Sequence, residues 1–170
     1  MNKMLMLLLC CQALNPCEQD IYDAISQDWQ SVPVKFCMQG IEAISTPALD
    51  VLPPVGLYLF DKKDIARTGM AAFIGDCVVV LSLKMLVNRE RPAGETGRLD
   101  SSFPSGHTAF AFTQAVVYSH YKPNLRIPLF VYATVVGFSR VYLGKHYPTD
   151  VLGGAVLGLV VGFLAVKFTD

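Results

Sequence analysis

Three clusters of basic, histidine and serine residues in the second half of the chain could together bind a tetrahedral oxyanion. Three cations would neutralise its charge, a Ser-Gly turn would offer backbone N–H groups, and two histidines would supply a nucleophile and an acid. Buried charges are costly in an apolar sequence unless function needs them, so the clusters predict a site. The clusters are, in chain order, Lys84 with Arg91–Pro92, then Pro104–Ser105–Gly106–His107, then Ser139–Arg140 with His146 and Asp150.

The first cluster is a pair of cations, Lys84 and Arg91, placed two helical turns apart. They would share a helix face if the helix continued that far, but Pro92 disfavours helix at the residue before it. Arg91 is therefore predicted at the turn that leaves the helix, where its guanidinium could bind two oxygens at once. The alternative is a pair of interface cations whose stems lie along apolar surface.

The second cluster, Pro104–Ser105–Gly106–His107, opens an apolar helix. We expect Pro104 in the first turn, where the backbone N–H groups are unpaired and favour an anion. Ser105 would add a hydroxyl donor, Gly106 would let the backbone approach closely, and His107 could protonate the bridging oxygen of a phosphate ester. The alternative is a capped helix with an incidental interfacial histidine.

The third cluster places His146 and Asp150 four residues apart, so that they can lie on one helix face. An aspartate that holds one ring N–H fixes the tautomer and leaves the other nitrogen as a nucleophile. Pro148 predicts that the helix begins near Thr149. Two alternatives are an acidic first-turn residue beside a loop histidine and a zinc site, for which two separated histidines and one aspartate are a poor ligand set.

Composition indicates a membrane protein with no nucleic-acid partner. The 170 residues are 52% hydrophobic and 16% charged, against about 25% charged in a typical soluble domain. Basic and acidic side chains balance at fourteen each, which does not favour nucleic acid. The five cysteines contain no C-x-x-C pair and are predicted to be small apolar residues, with a Cys17–Cys37 disulfide left open. His120 lies outside the clusters and is predicted to be incidental.

The elements that must position the clusters divide into three parts. Residues 1–14 resemble a signal sequence or a short anchor, and residues 15–32 are predicted to form an amphipathic helix at the membrane surface. Residues 33–170 form the membrane domain, whose last span carries a row of small residues at Gly154, Gly158 and Gly162. The predicted crossings are 41–60, broken by Pro47, Pro53 and Pro54, then 66–87, 106–121, 127–142 and 149–168.

Alternating these crossings places six basic residues outside the clusters at one end of the bundle. By the positive-inside rule that end is cytoplasmic, and the three clusters gather at the opposite, outer end. A site that opens outward near the lipid headgroups is therefore expected. The six residues are Lys62, Lys63, Arg67, Lys122, Arg126 and Lys167.

Taken together, the clusters have the form K-x6-R-P, P-S-G-H and S-R-x5-H-x3-D over residues 84–150. This pattern resembles the tripartite signature of the type-2 phosphatidic acid phosphatase superfamily. That family includes undecaprenyl-diphosphate and lipid A phosphatases, glucose-6-phosphatase and the vanadium haloperoxidases. Every signature position is filled, and the resemblance covers residues 66–168.

The resemblance implies an all-α transmembrane bundle of about six helices that works without a metal or other cofactor. It implies that His146 forms a phosphohistidine, that Asp150 orients it, and that His107 protonates the leaving alcohol and then activates water. The implied phosphate-binding residues are Lys84, Arg91, Ser105, Gly106 and Arg140, and the implied structural residues of the motifs are Pro92, Pro104 and Ser139.

Within that family, the apolar composition and the short chain disfavour the haloperoxidases, and an acidic amphipathic surface helix favours a lipid over a sugar phosphate. We expect a multi-pass protein of a bacterial inner membrane that acts on lipid A phosphate, undecaprenyl diphosphate, phosphatidylglycerol phosphate or phosphatidic acid. Two alternatives stay open. One is a phosphotransferase that uses the same histidine, and the other is a non-catalytic membrane protein.

Overall fold

A computed structural model describes residues 16–46, 49–94 and 100–169, and these residues form helices joined by short turns. The predicted signal-like segment 1–14 lies outside the described residues. The helices are α1 (Pro16–Asp23), α2 (Val32–Ile44), α3 (Leu52–Leu59), α4 (Lys63–Val87), α5 (Gly106–Tyr121), α6 (Arg126–Tyr142) and α7 (Pro148–Thr169). A π-helical turn, Ala24–Asp28, continues α1, and a 3₁₀ turn, Pro123–Leu125, precedes α6.

The all-α prediction is confirmed, and the four helices that carry the clusters begin and end within three residues of their predicted bounds. Within the described ranges, α4 and α7 have the length and composition to cross a membrane. The count of about six crossing helices stays a prediction. α7 begins at Pro148, one residue earlier than predicted, because the missing N–H of proline is unneeded in a first turn.

The predicted crossing 41–60 is not one kinked helix but parts of two separate helices. Its first part belongs to α2, which begins at Val32 and ends at Ile44, and its second part is the separate helix α3. Pro53 and Pro54 lie in the first turn of α3, where they leave no helical hydrogen bond unmade. The prolines therefore mark a helix start.

α5 lies at the centre of the bundle and packs against α4, α6 and α7. The glycine row of α7 brings two backbones into near contact. A Cβ at Gly158 would lie 2.2 Å from the carbonyl oxygen of Ala109, and a Cβ at Gly154 would lie 2.5 Å from that of Ser105. This packing fixes the start of α5, which carries the P-S-G-H cluster, against the start of α7.

Hydrogen bonds between helix ends show that α4 runs antiparallel to α5 and to α7, which are parallel to each other. The hydroxyl of Thr68 in α4 lies 2.8 Å from that of Tyr121 in α5 and 2.6 Å from that of Thr169 in α7. The end of α4, the start of α5, the end of α6 and the start of α7 therefore meet at the opposite end of the bundle. All three clusters lie at that end, as the sequence predicts. No disulfide joins Cys17 and Cys37.

Candidate active site

A cavity of about 260 Å³ opens where these four helix ends meet. One part of its wall is cationic and the other is apolar. His120, at the far end of α5, does not line it. The polar lining residues are Lys84, Arg91, Gly106, His107, Arg140 and His146, and the others are Cys77, Val80, Leu81 and Phe110.

His146 lies in the turn between α6 and α7 and is 2% exposed. Its Nδ1 is 2.8 Å from the carbonyl oxygen of Ser102 and 3.8 Å from Oδ2 of Asp150. The predicted partner Asp150 is therefore adjacent, but the carbonyl is the closer acceptor. Since a carbonyl only accepts, Nδ1 carries the proton and Nε2 is the basic nitrogen. Burial lowers the pKa of His146, as do the nearby Arg91 and Arg140, while Asp150 opposes them.

The carboxylate of Asp150 is fully buried in the first turn of α7. Its Oδ1 accepts a hydrogen bond from Arg89 at 2.6 Å. Its Oδ2 accepts from the backbone N–H of Tyr147 at 2.8 Å and from the hydroxyl of Ser102. Three donors thus hold this carboxylate beside the imidazole of His146.

The P-S-G-H cluster forms the start of α5, with Ser105 as the N-cap in an extended conformation. The N–H of Ser105 donates to the backbone oxygen of Asp150 at 3.0 Å, and its hydroxyl accepts from Thr108 at 2.9 Å. Ser105 is fully buried and does not line the cavity, so its predicted contact with phosphate stays a prediction. Pro104 precedes the cap and does not lie in the first turn, which corrects the predicted position. His107 is in the first turn and lines the cavity.

Arg140 is a buried cation at the end of α6 that has one unsatisfied donor. Its NH1 donates to Oε1 of Glu42 at 2.9 Å. Its Nε is buried and has no hydrogen-bond partner in the part of the chain that the structure describes. A buried guanidinium N–H without an acceptor is costly, and an anion in the cavity would satisfy it.

The other two cations are held by the segment that follows α4. Lys84, in the last turn of α4, donates to the carbonyl oxygen of Ser101. Arg91 lies beyond the helix end, as predicted, and donates from Nε and NH2 to Asp100, both at 2.8 Å. These contacts hold Lys84 and Arg91 in the wall of the cavity that His107 and His146 also line.

Residues 66–170 match the sequence model of the PAP2 superfamily. The chain belongs to the PAP2 superfamily. The resemblance inferred from the three clusters is therefore confirmed, and with it the expectation of an enzyme of the phosphatase class at the level of the family.

PAP2 relatives with different substrates in their names are similar to this chain. Phosphatidylglycerophosphatase B of Bacillus subtilis is 34% identical over 160 residues, which are 86% of this chain and 78% of that protein. Undecaprenyl-diphosphatase BcrC of the same species is 39% identical over 71 residues, 42% of this chain and 37% of its own length. The crystal structure of Aquifex aeolicus LpxE has a TM-score of 0.80 at 28% identity, over 92% of this chain and 98% of that one.

The remaining motif residues of the PAP2 signature lie in the helix and turns around the cavity and do not line it. The hydroxyl of Ser139 donates to the carbonyl oxygen of Val136 within α6, at 2.7 Å. Pro92 lies in the turn after Arg91, and Pro104 is buried beside the N-cap of α5. Among the described residues of this PAP2 protein, no three His, Cys, Asp or Glu side chains are grouped as they would be around a metal ion.

Three side chains that bind Asp150 or Arg140, and a fourth that reaches Asp150 through one of these three, were missed from the sequence. Ser102 precedes its cluster by two residues, and Arg89 precedes Arg91 by two. The R-E-R-P run was the available signal for Arg89. No local signal exists for the two acidic residues of α1 and α2, because they reach the site through the fold. The missed residues are Glu18, Glu42, Arg89 and Ser102.

Proposed function

We propose that this protein is an integral-membrane phosphatase that hydrolyses a lipid phosphate through a phosphohistidine on His146. The two-part cavity carries the proposal, because its cationic wall suits a phosphate and its apolar wall suits the chain attached to it. The names of its PAP2 relatives, which include two phosphatases of lipid phosphates, support the same class of substrate.

The proposed reaction has two steps. Nε2 of His146 attacks phosphorus, the P–O bond to the lipid breaks, and His107 gives its proton to the leaving oxygen. Neutral His107 then takes a proton from water, whose oxygen attacks phosphorus. The P–N bond breaks, which releases inorganic phosphate and restores neutral His146.

Charge at the site would stabilise both steps without a metal ion. Lys84, Arg91 and Arg140 line the cavity and would bind the phosphoryl oxygens, and the backbone at Gly106 would donate to them. The resemblance assigns the Ser105 hydroxyl the same role, although Ser105 is buried behind the lining. The negative charge of a bound phosphate would in turn favour a proton on His107, the general acid, which lines the same cavity.

The substrate would be one of four lipid phosphates: undecaprenyl diphosphate, phosphatidylglycerol phosphate, lipid A phosphate or phosphatidic acid. We place the protein in a bacterial inner membrane with the site facing outward, since the basic residues gather at the opposite end. A phosphotransferase is the second candidate, because the hydroxyl of another lipid could replace water in the second step.

A phosphate-release screen of the purified protein across the four lipid classes tests the proposal. We expect release from at least one class in the presence of EDTA, inhibition by vanadate, and none with His146→Ala. Release without any acceptor lipid would exclude an obligate transferase. Activity that disappears in EDTA and returns with zinc or magnesium would contradict the metal-free mechanism.

A further inference from the structure

A buried ionic network connects the N-terminal helix α1 to the catalytic aspartate. Glu18 of α1 is 6% exposed, and its Oε2 lies 2.8 Å from NH2 of Arg89. NH1 of the same guanidinium lies 2.6 Å from Oδ1 of Asp150. One arginine thus bridges two carboxylates that are 132 positions apart in the sequence.

The same glutamate also holds the start of α7. Its Oε1 accepts from the backbone N–H of Thr149 at 3.0 Å and from the hydroxyl of Thr149. Thr149 in turn accepts from Arg89 at 2.7 Å. Because Asp150 is the next residue, the position of its backbone and the direction of its carboxylate both depend on Glu18.

Aromatic contacts keep this network in place. The guanidinium of Arg89 lies 4.6 Å above the ring of Tyr147, and the ring of Tyr22 on α1 lies 5.4 Å from the same tyrosine. Tyr147 is also the residue whose N–H donates to Asp150. The aromatic pair therefore holds α1 beside the turn that carries His146.

The negative charge of Glu18 also affects the electrostatics of Asp150. Arg89 alone would neutralise Asp150, and the pair would then do little for positive charge on the imidazole. With Glu18 on the other side of the guanidinium, the three groups carry a net charge of minus one, which remains available when His146 becomes positive on phosphorylation.

We propose that Glu18 and Arg89 are positioning residues which hold and charge-balance Asp150, so that α1 completes the catalytic site. This rests on the proposed function, in which His146 is the nucleophile and Asp150 its partner. Neither residue lines the cavity, so they would act through Asp150 and not on the substrate.

The test compares Glu18→Gln with Asp20→Asn, an exposed carboxylate on the same helix. Glu18→Gln should lower kcat by about 10- to 100-fold with KM within about twofold, because a misplaced catalytic group slows chemistry and not binding. Asp20→Asn should behave as wild type, and Glu18→Asp should recover part of the loss. A normal kcat in folded Glu18→Gln would overturn the proposal.

A double-mutant cycle separates positioning from a general loss of structure. If Glu18 acts through Asp150, then Glu18→Gln should cost little further activity in an Asp150→Asn enzyme. An equal fold-loss in both backgrounds would contradict the relay. Should Glu18→Gln fail to fold in detergent, Glu18→Asp takes its place in the cycle, with the same two outcomes.

Nitrogen NMR of the labelled histidines tests the relay without turnover. The ring resonances of His146 should move in Glu18→Gln and stay unchanged in Asp20→Asn, while those of His120 stay unchanged in both. Unmoved His146 resonances would overturn the relay even in an active enzyme. If the wild-type protein hydrolyses no lipid phosphate but the His146 resonances still move in Glu18→Gln, the proposed function is refuted and the relay stands.

Discussion

At the scale of single residues, the two histidines of the cavity lie in different surroundings. His146 is buried and held by a backbone carbonyl and a carboxylate, whereas His107 lines the cavity among cations. The first arrangement fixes a ring for attack, and the second suits a group that exchanges a proton with substrate and water.

Substitution should therefore separate the two roles. His146→Ala should reduce turnover by at least about 10⁴-fold, because the nucleophile has no substitute. His107→Ala should slow hydrolysis of a lipid phosphate by about 10²- to 10⁴-fold but affect p-nitrophenyl phosphate less, since its leaving group needs little protonation. Steady-state kinetics with both substrates measure the difference. Near-normal turnover by His146→Ala would exclude the phosphohistidine.

The pH profile should reflect the buried nucleophile. Burial, Arg91 and Arg140 lower the pKa of His146 while Asp150 raises it, with a net lowering. Because attack needs the neutral ring, the loss of activity on the acid side begins only when the pH falls below that lowered pKa. The acid limb of kcat/KM, corrected for ionisation of the substrate phosphate, should lie below about pH 6.5, the ordinary histidine value. A limb at or above that value would contradict this account.

The motif side chains could be predicted from the sequence, but the residues that hydrogen-bond to them could not. Cations and histidines at fixed spacing predicted the cavity lining, because the three clusters together form a recognisable pattern, although each alone left an alternative open. Ser102 as the partner of Nδ1, and Arg89 as the partner of Asp150, depend on how loops fold back over long distances. A local pattern does not contain that information.

At the scale of elements, α5 and α7 set the position of the site through backbone contact. Gly154 and Gly158 of α7 face α5, and a Cβ on either residue would meet a backbone carbonyl oxygen and not a movable side chain. The apolar periods of α4 to α7 predicted their bounds well. The break between α2 and α3 was harder to place, because prolines can end, kink or begin a helix.

Adding one methyl group at this interface should be costly. Gly158→Ala should lower the free energy of unfolding by about 1–3 kcal/mol, since its Cβ would lie 2.2 Å from a carbonyl oxygen of α5. Gly40→Ala in α2 is the matched control, because no atom lies within 4 Å of its Cβ and alanine favours helix. Thermal unfolding in detergent compares them, and equal midpoints would show that α5 and α7 can separate freely.

At the scale of the whole molecule, the two ends of the bundle differ in charge and in content. One end joins α4, α5 and α7 through threonine and tyrosine hydroxyls and is flanked by basic residues, and the other holds the site. Through the positive-inside rule, this asymmetry predicts that the site end faces away from the cytoplasm.

Cysteine labelling tests that orientation in a cysteine-free variant. A cysteine at exposed Ala93, beyond the site end of α4, should react with a membrane-impermeant thiol reagent in intact cells. A cysteine at Lys63, whose side chain is 55% exposed at the other end, should react only after lysis. The reverse pattern would turn the site toward the cytoplasm.

The contact between Glu18 and Thr149 has a consequence for biosynthesis. The two residues are separated by 131 positions, so a growing chain has inserted most of its helices before they can meet. Until then the start of α7 lacks its contact with α1, and Arg89 and Asp150 lack the second carboxylate of their network. If Glu18 acts as proposed, a nascent chain would therefore reach full activity only when α7 docks against α1.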